Sequence, residues 1–199
     1  MSDNQVSNIL IVGVGGQGII LASDVLGRVA ARAGYDVKKN EIHGMAQRGG
    51  SVSSHVRFGK SVSSPIIKLG EAEVLLSFEQ LETVRYFPFL AVSGKVIVND
   101  HKILPPAVFT GKQDYPEDIL EKIKEKVPDA MIVDGMELAT RLGVSSSPTL
   151  VFFDERGREI IRIDSVVGFY RLNNVLRFVL TKGYLETPNF QVWRQRNKR

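Results

Sequence analysis

The sequence predicts an α/β fold: a mostly parallel sheet with helices on its faces. Three observations carry that prediction. β-branched apolar runs alternate with segments of 3.6-residue periodicity from residue 8 to residue 143. The first apolar run passes through four glycines, Gly13, Gly15, Gly16 and Gly18, into a helical pattern. At 199 residues, 43% hydrophobic and 24% charged, the chain is long enough and apolar enough for one sizeable globular core.

Taken in order, residues 8–13 read as a buried parallel strand, apolar and ended by glycine. Residues 17–33 read as a helix with Ile20, Leu21, Val25, Val29 and Ala33 inward, and Gly34 fits its stop. Residues 35–42 form a second strand and 43–50 a polar, glycine-containing loop. Residues 51–58 alternate, with Val52, Val56 and Phe58 on one face and Ser53, His55 and Arg57 on the other, which predicts a half-exposed strand. A strand at 73–78, a helix at 80–92 interrupted at Pro88, and a strand at 95–99 follow. Two prolines and a Thr-Gly pair make 102–115 mostly loop. Pro116 opens a helix to 126, with Ile119, Leu120 and Ile123 on one face. A strand at 130–133 and a helix at 136–142 complete the alternation. Beyond Gly143 the pattern changes to a hairpin, 149–154 with 159–164 around Glu155-Arg156-Gly157-Arg158. An amphipathic helix at 170–182 then turns Leu172, Val175, Leu176, Val179 and Leu180 inward. This is a ββα unit.

Charge and composition narrow the function classes. The net charge of +4 resides in the last eleven residues, which hold Arg194, Arg196, Lys198 and Arg199 and no acid. The rest is balanced, 22 basic against 22 acidic, so 189–199 reads as a solvated basic tail and not as a nucleic-acid surface. The absence of cysteine excludes a thiol nucleophile, a disulfide and a cysteine-held zinc or iron–sulfur cluster on this chain. No apolar run has membrane-spanning length and the start lacks a signal-peptide pattern, so a cytoplasmic protein with no membrane partner is expected.

The glycines Gly13, Gly15 and Gly18 satisfy G-x-G-x-x-G between a strand and a helix, a Rossmann-like arrangement. A helix start carries unpaired amides and partial positive charge, and glycines let an anion approach. An anion seat at 15–18 and a purely structural turn both remain open. For NAD, Glu41 is the candidate ribose-binding acid. The extra Gly16, the long amide of Gln17 and the long loop at 43–50 count against a dinucleotide. In the second loop, Gln47 and Arg48 precede Gly49 and Gly50; a guanidinium beside free amides suits a phosphate or carboxylate, and a flexible connection is the alternative.

Both loops together, GVGGQGI and EIHGMAQRGGSVSSHVRFG, resemble the small-subunit family of the 2-oxoacid:ferredoxin oxidoreductases. The resemblance is to the beta subunit of indolepyruvate ferredoxin oxidoreductase and the gamma-type subunit of pyruvate ferredoxin oxidoreductase. It continues through SPIIKLGEAEVLLSFEQLETVRYFPFL, GKVIVND and MIVDGMELATRLG, covering residues 6–143. It implies a subunit of a heteromeric enzyme that decarboxylates an aryl pyruvate oxidatively to an acyl-CoA and reduces ferredoxin. Thiamine diphosphate and iron–sulfur clusters are then implied on a large, cysteine-rich partner subunit, with ferredoxin reached through that partner. This chain would offer a CoA- or substrate-facing surface at Gly13, Gly15, Gly16, Gln17, Gly18, Gln47, Arg48, Gly49 and Gly50. No catalytic or metal-ligating residue is assigned.

Residues 144–193 are similar to the C-terminal half of a thioredoxin-fold protein, with Ser147-Pro148-Thr149 at its proline step and without the half that carries Cys-x-x-Cys. The expected division is therefore 1–143 as the α/β domain, 144–188 as a thioredoxin-like ββα segment and 189–199 as the tail, the two resemblances meeting as in a fusion. A stand-alone nucleotide-binding α/β module and a redox-inactive thioredoxin-like binding module are the alternatives. His43, His55 and His101 are expected to be surface or hydrogen-bonding histidines, Asp134 a helix N-cap, Lys38 and Lys39 a solvated face, and Trp193 a packed anchor.

Overall fold

The computed structural model describes residues 6–44 and 49–197. The chain divides into two compact units, Met1–Leu138 and Ala139–Arg199.

In the first unit the elements run β1 (Ser7–Val14), α1 (Ile19–Arg32), β2 (Asp36–His43), β3 (Ser51–Gly59), β4 (Ala72–Ser77), α2 (Gln80–Tyr86), β5 (Leu90–Asn99), α3 (Pro106–Phe109), α4 (Ile119–Lys126) and β6 (Met131–Val133). They build one sheet in the order β2-β3-β1-β4-β5-β6. β1, β4, β5 and β6 are mutually parallel; β3 runs antiparallel to both of its neighbours, β1 and β2. The α/β class and the mostly parallel sheet therefore hold, with one reversed strand. β2 and β3 are consecutive in the chain and only seven residues apart, and they pair antiparallel as a hairpin. The parallel partners are separated by helical crossovers.

The core on one side of the sheet is Leu10 and Val12 of β1 with Ile67, Ala72, Leu75, Val96, Val98, Ile119 and Ile123. On the other, Ile11, Ile19, Val52 and Val56 pack with Ala22 and Leu26 of α1. The expected inward stripe of α1 is thus rotated: Ile19, Ser23 and Ala30 are buried, whereas Ile20 is 44% exposed. The helix is apolar over much of its circumference, so its periodicity did not select one face.

Three further expectations are corrected. β3 is interior rather than half exposed: Val52, Ser53, Ser54, His55 and Val56 are all buried. Strict alternation signals a wet face only when nothing covers it, and here the Phe89 ring meets His55 edge-on. Residues 90–92 belong to β5, because a single 3₁₀ turn, Phe87–Phe89, ends the helix at Pro88. Lys39 is not a solvated lysine; its ammonium is held by Asp24, by Glu41 at 2.5 Å and by Ser23 Oγ at 3.3 Å. Burial alone would depress it, but those carboxylates carry its pKa above the ordinary lysine value.

α5 (Gly135–Arg141) spans the break between units, and Asp134 caps it, accepting from the Glu137 amide at 2.8 Å. In the second unit β7 (Leu150–Phe153) pairs with β8 (Glu159–Ile163) alone. These strands do not extend the large sheet, where β6 pairs only with β5. The Ser147–Pro148 peptide is cis. α6 (Phe169–Leu180), α7 (Gly183–Glu186) and α8 (Phe190–Arg196) follow. Most of the last residues are therefore helical, not frayed: Asn189 Oδ1 accepts from the Gln191 and Val192 amides. Trp193 is buried, with ring centroid 5.3 Å from that of Phe178, and it packs with Ile163, Val175 and Phe190. A bare ββα unit has too little apolar cover for its hairpin; α8 supplies it.

Candidate functional site

The glycine loop joins β1 to α1 at the carboxyl end of the parallel strands. There the sheet has its switch point: β1 sends its crossover towards β2, and β4 sends its own towards β5, on the opposite side. Ligands of open α/β sheets normally enter that crevice. Here the protein fills it. The Phe78 amide donates to Val12 O at 2.9 Å, the last regular rung between β1 and the β4 exit. The next rung would run from the Val14 amide to Phe78 O. Instead, Gln17 places its carboxamide between them: Val14 N–H donates to Gln17 Oε1 at 2.7 Å, and Gln17 Nε2 donates to Phe78 O at 2.9 Å. Asn99, at the end of β5, also reaches Phe78 O at 3.4 Å, while its Oδ1 accepts the Gly135 amide at 2.9 Å. Gly13 lets Gln17 lie flat: a Cβ there would stand 2.8 Å from Gln17 Oε1 and 3.1 Å from Phe78 Cβ.

The space for a ligand lies instead beside the start of α1. A cavity of about 590 Å³ is lined by Gly15, Gly16, Gly18, Ile19, Ile20, Leu21, Asp24, His43 and Val52. Gly18 holds the N-cap position of α1 with φ 89°, a left-handed conformation that favours glycine, and no side chain caps the helix. Among the described residues, none accepts from the amides of Gly18, Ile19, Ile20 or Leu21. Donors of this kind carry the positive end of a fourteen-residue helix. Asp24, already tied to Lys39, is an acid on the cavity wall. Glu41, the candidate ribose acid, is spent on the same lysine and is not among the lining residues.

The second loop is anchored against the first. Gly15 N–H donates to Gly50 O at 2.8 Å and Gly49 N–H to Gly15 O at 3.4 Å. Gln47 and Arg48 lie outside the described residues. Beyond Gly50, Ser51 Oγ donates to Glu82 Oε2 at 2.5 Å, and Arg85 pairs with the other oxygen of that carboxylate at 2.8 Å. Glu82 is almost fully buried; burial pushes its pKa above the usual glutamate value, against the pull of Ser51 and Arg85 and with the push of Glu79. Glu79 accepts from the Tyr115 hydroxyl at 2.9 Å and from the Glu82 and Ile103 amides. Burial, then the hydrogen bond to Glu79, drives the Tyr115 phenol well above its ordinary range.

The structure thus brings Gly15, Gly16 and Gly18 to the cavity, turns Gln17 into the sheet, and binds Gly49 and Gly50 to Gly15. Sequence reasoning missed Asp24 and His43, on other elements, and the apolar wall of Ile20 and Leu21, which it assigned to the core. It also missed the buried acids of α2. The Ser-Phe-Glu step at 77–79 could have signalled the helix cap, but nothing local signals the burial of Glu82. His55 is buried, not at the surface: its Nδ1 accepts the Ile67 amide at 3.1 Å, and burial lowers its pKa. His43 and His101 are exposed. Among the described residues, no cluster of acids and histidines suits a metal ion, and no described helix is long and apolar enough to cross a membrane.

Fold and site define a Rossmann-like α/β protein whose nucleotide crevice is closed by its own carboxamides and whose open cavity offers helix-start amides. The model of the pyruvate ferredoxin/flavodoxin oxidoreductase family matches residues 8–157. A protein of Archaeoglobus fulgidus named indolepyruvate oxidoreductase subunit IorB is 44% identical over 138 residues, 68% of either chain. The protein of the same name from Thermococcus kodakarensis is 40% identical over 171 residues, 78% of this chain and 85% of the relative. A solved pyruvate oxidoreductase subunit, PORC of Thermotoga maritima, superposes with TM-score 0.48 at 20% identity, covering 69% of this chain and 66% of that one. The chain belongs to the pyruvate ferredoxin/flavodoxin oxidoreductase family.

Proposed function

We propose that this chain is the small subunit of a heteromeric 2-oxoacid:ferredoxin oxidoreductase whose substrate is indolepyruvate. The observation that carries the reading is the 38–44% identity to proteins named indolepyruvate oxidoreductase subunit IorB. The chemistry of the chain supports it. A chain with no cysteine has no thiolates for an iron–sulfur cluster, so electrons from oxidation of the 2-oxoacid must travel through another subunit. The described cavity lacks a paired nucleophile and base, since its one carboxylate is tied to Lys39. Thiamine diphosphate, the clusters and the ferredoxin contact are assigned, as the family resemblance implies, to a larger, cysteine-rich partner subunit. This chain contributes a surface for an anionic group, such as a phosphate of CoA, at Gly15, Gly16 and Gly18. Residues 144–188 are read as an appended ββα segment of thioredoxin-like order, supported by the sequence β7, β8, α6.

Co-expression with the partner encoded by the same source tests the reading. The two chains should co-purify in equal amounts, and only the pair should reduce ferredoxin with indolepyruvate and CoA. A stable monomer whose melting temperature rises with NAD and which ignores the partner would overturn it. The anion seat has a separate test. CoA or ADP should raise the melting temperature of the chain or of the complex, as any ligand of the native state does. Gly18→Val should remove that rise; no rise in the wild type sinks the seat but leaves the subunit reading intact.

A further inference from the structure

The turn between β3 and β4 builds a second recess, at the far end of the sheet from the glycine loop. Arg57 pairs with Asn8 near the start of β1, whereas Ser51 pairs with Val14 beside that loop. The strand between them spans roughly 20 Å at about 3.3 Å per residue. The turn is held at several points. The Val62 amide donates to Asp36 Oδ2 at 2.8 Å, an acid already paired with Lys38. The Ile67 amide donates to His55 Nδ1 at 3.1 Å and the Gly70 amide to Pro88 O at 2.9 Å. Val62 and Ile67 are buried, so the segment is set in place before any ligand arrives.

Arg57 decides what the recess, about 290 Å³, can hold. Its guanidinium is locked on uncharged oxygens: Nε donates to Asn8 Oδ1 at 2.7 Å, and Nη1 to the carbonyls of Ser64 and Ile66 at 3.0 and 3.1 Å. Nη2 takes part in none of these bonds. Arg57 is half-buried, and among the described residues no carboxylate pairs with it. A guanidinium does not shed its proton, so this cation is partly withdrawn from water with no counter-charge. Lys68 also lines the recess, exposed and without a carboxylate partner among the described residues, together with exposed Ser61 and Ser63. Ser64 has its Oγ occupied by the Ile66 amide at 3.2 Å. One lining residue is of opposite character. Glu71 accepts the Lys68 amide through Oε2 at 3.2 Å, which leaves Oε1 as an acceptor. Such an acceptor repels a fully deprotonated oxyanion and accepts from one that keeps a hydroxyl.

We propose that this recess is a site for inorganic hydrogen phosphate. Arg57 Nη2, Lys68 and the hydroxyls of Ser61 and Ser63 donate to its oxygens, and Glu71 accepts from its P–OH. Sulfate has the same shape but no proton to give. A phosphomonoester, with a second pKa of about 6, has lost that hydroxyl near neutral pH. The recess therefore selects the free anion over both. The site is independent of the anion seat at α1 and of the function proposed above.

Titration of the full chain at neutral pH and constant ionic strength with phosphate, sulfate and glycerol phosphate tests it, read by calorimetry and by backbone amide shifts in NMR. Phosphate should move the amides of residues 61–68. It should bind about tenfold or more tightly than sulfate or the monoester, the difference one charge-assisted hydrogen bond makes. Lys68→Ala should weaken phosphate about threefold or more. Glu71→Gln keeps an acceptor for the Lys68 amide, so the turn stays folded; it should abolish the preference and let sulfate bind as well as phosphate. Gly18→Val should leave the response intact, which separates this site from the glycine loop. Phosphate shifts confined to residues 15–21, or none at all, overturn the proposal. So do equal affinities for phosphate and sulfate in the wild type, the mark of an adventitious ion only.

Discussion

The carboxamide of Gln17 stands where β1 and β4 would have formed one more rung, and its removal has a calculable effect. Gln17→Met keeps the length of the side chain and deletes both hydrogen bonds, at 2.7 and 2.9 Å. Phe78 O retains Asn99 at 3.4 Å, but the Val14 amide loses its acceptor in a residue only 6% exposed. An unsatisfied buried donor costs about 1–3 kcal/mol. At roughly 2–4 °C per kcal/mol for a chain of this size, the melting temperature should fall by about 2–12 °C. Gln17→Glu provides the sharper test. Its carboxylate can accept from Val14 but must face Phe78 O with a second acceptor. Protonation supplies a donor, so the folded state holds that proton more tightly than the unfolded state. The variant should be most stable on the acid side and lose stability as pH rises through its elevated folded pKa. Urea unfolding from acid to neutral pH reads both effects. If the Met variant stays within about 0.5 kcal/mol of wild type and the Glu variant shows no added pH slope, the bridging role of Gln17 is wrong.

Three other outcomes follow from the same geometry. Gly18→Ala meets no atom within 4 Å, so its cost is backbone conformation alone, about 1–2 kcal/mol at φ 89°, and Gly18→Asn should cost less; thermal melts rank the three. Glu82, raised above its reference value of 4.5 mainly by burial, adds stability below that value and loses it as pH rises through the folded pKa; Glu82→Gln should flatten this part of the pH–stability curve, read by urea midpoints. Trp193→Ala should cost about 3–5 kcal/mol and release α8, followed by circular dichroism since Trp193 is the chain's one tryptophan.

The readable parts of the fold were those set by local pattern. β1 is a β-branched run and β4 a largely apolar one, α6 has a clear apolar stripe, and the glycine turn joins a strand to a helix as its spacing demands. What could not be read was set by partners distant in the chain. Gln17 and Phe78 are 61 residues apart, and no local rule predicts that a loop glutamine will bridge two strands. His55 looked wet because Ser53 and Arg57 flank it on its face; it is dry because the aromatic turn after α2 covers that face. Ile20 and Leu21 looked like core because α1 carries apolar residues on several sides, and only the site of the cavity shows why two of them stay open. At the C-terminal end, the basic residues concealed the amphipathic spacing of Phe190 and Trp193, three apart on one face.

The closed crevice, the displaced cavity and the anchored second loop bear on one another. A free-standing dinucleotide enzyme needs the switch point between β1 and β4 open for a pyrophosphate; here that position is filled by Gln17 and joined by Asn99 to the start of α5. The remaining donors, at the start of α1, lie on the side where β2 ends at His43 and β3 begins at Ser51. That loop is fastened at its far end twice, by Gly49 and Gly50 to Gly15 and by Ser51 to Glu82. Glu82 is itself oriented by Arg85 and by the cap that Glu79 makes to its amide. Buried charge of this kind adds little net stability; what it fixes is the place where the loop rejoins the sheet. The chain thus fastens Gly49 and Gly50 beside the helix-start amides that the proposed anion seat would use, and it keeps its acids occupied with its own lysine, serine and tyrosine.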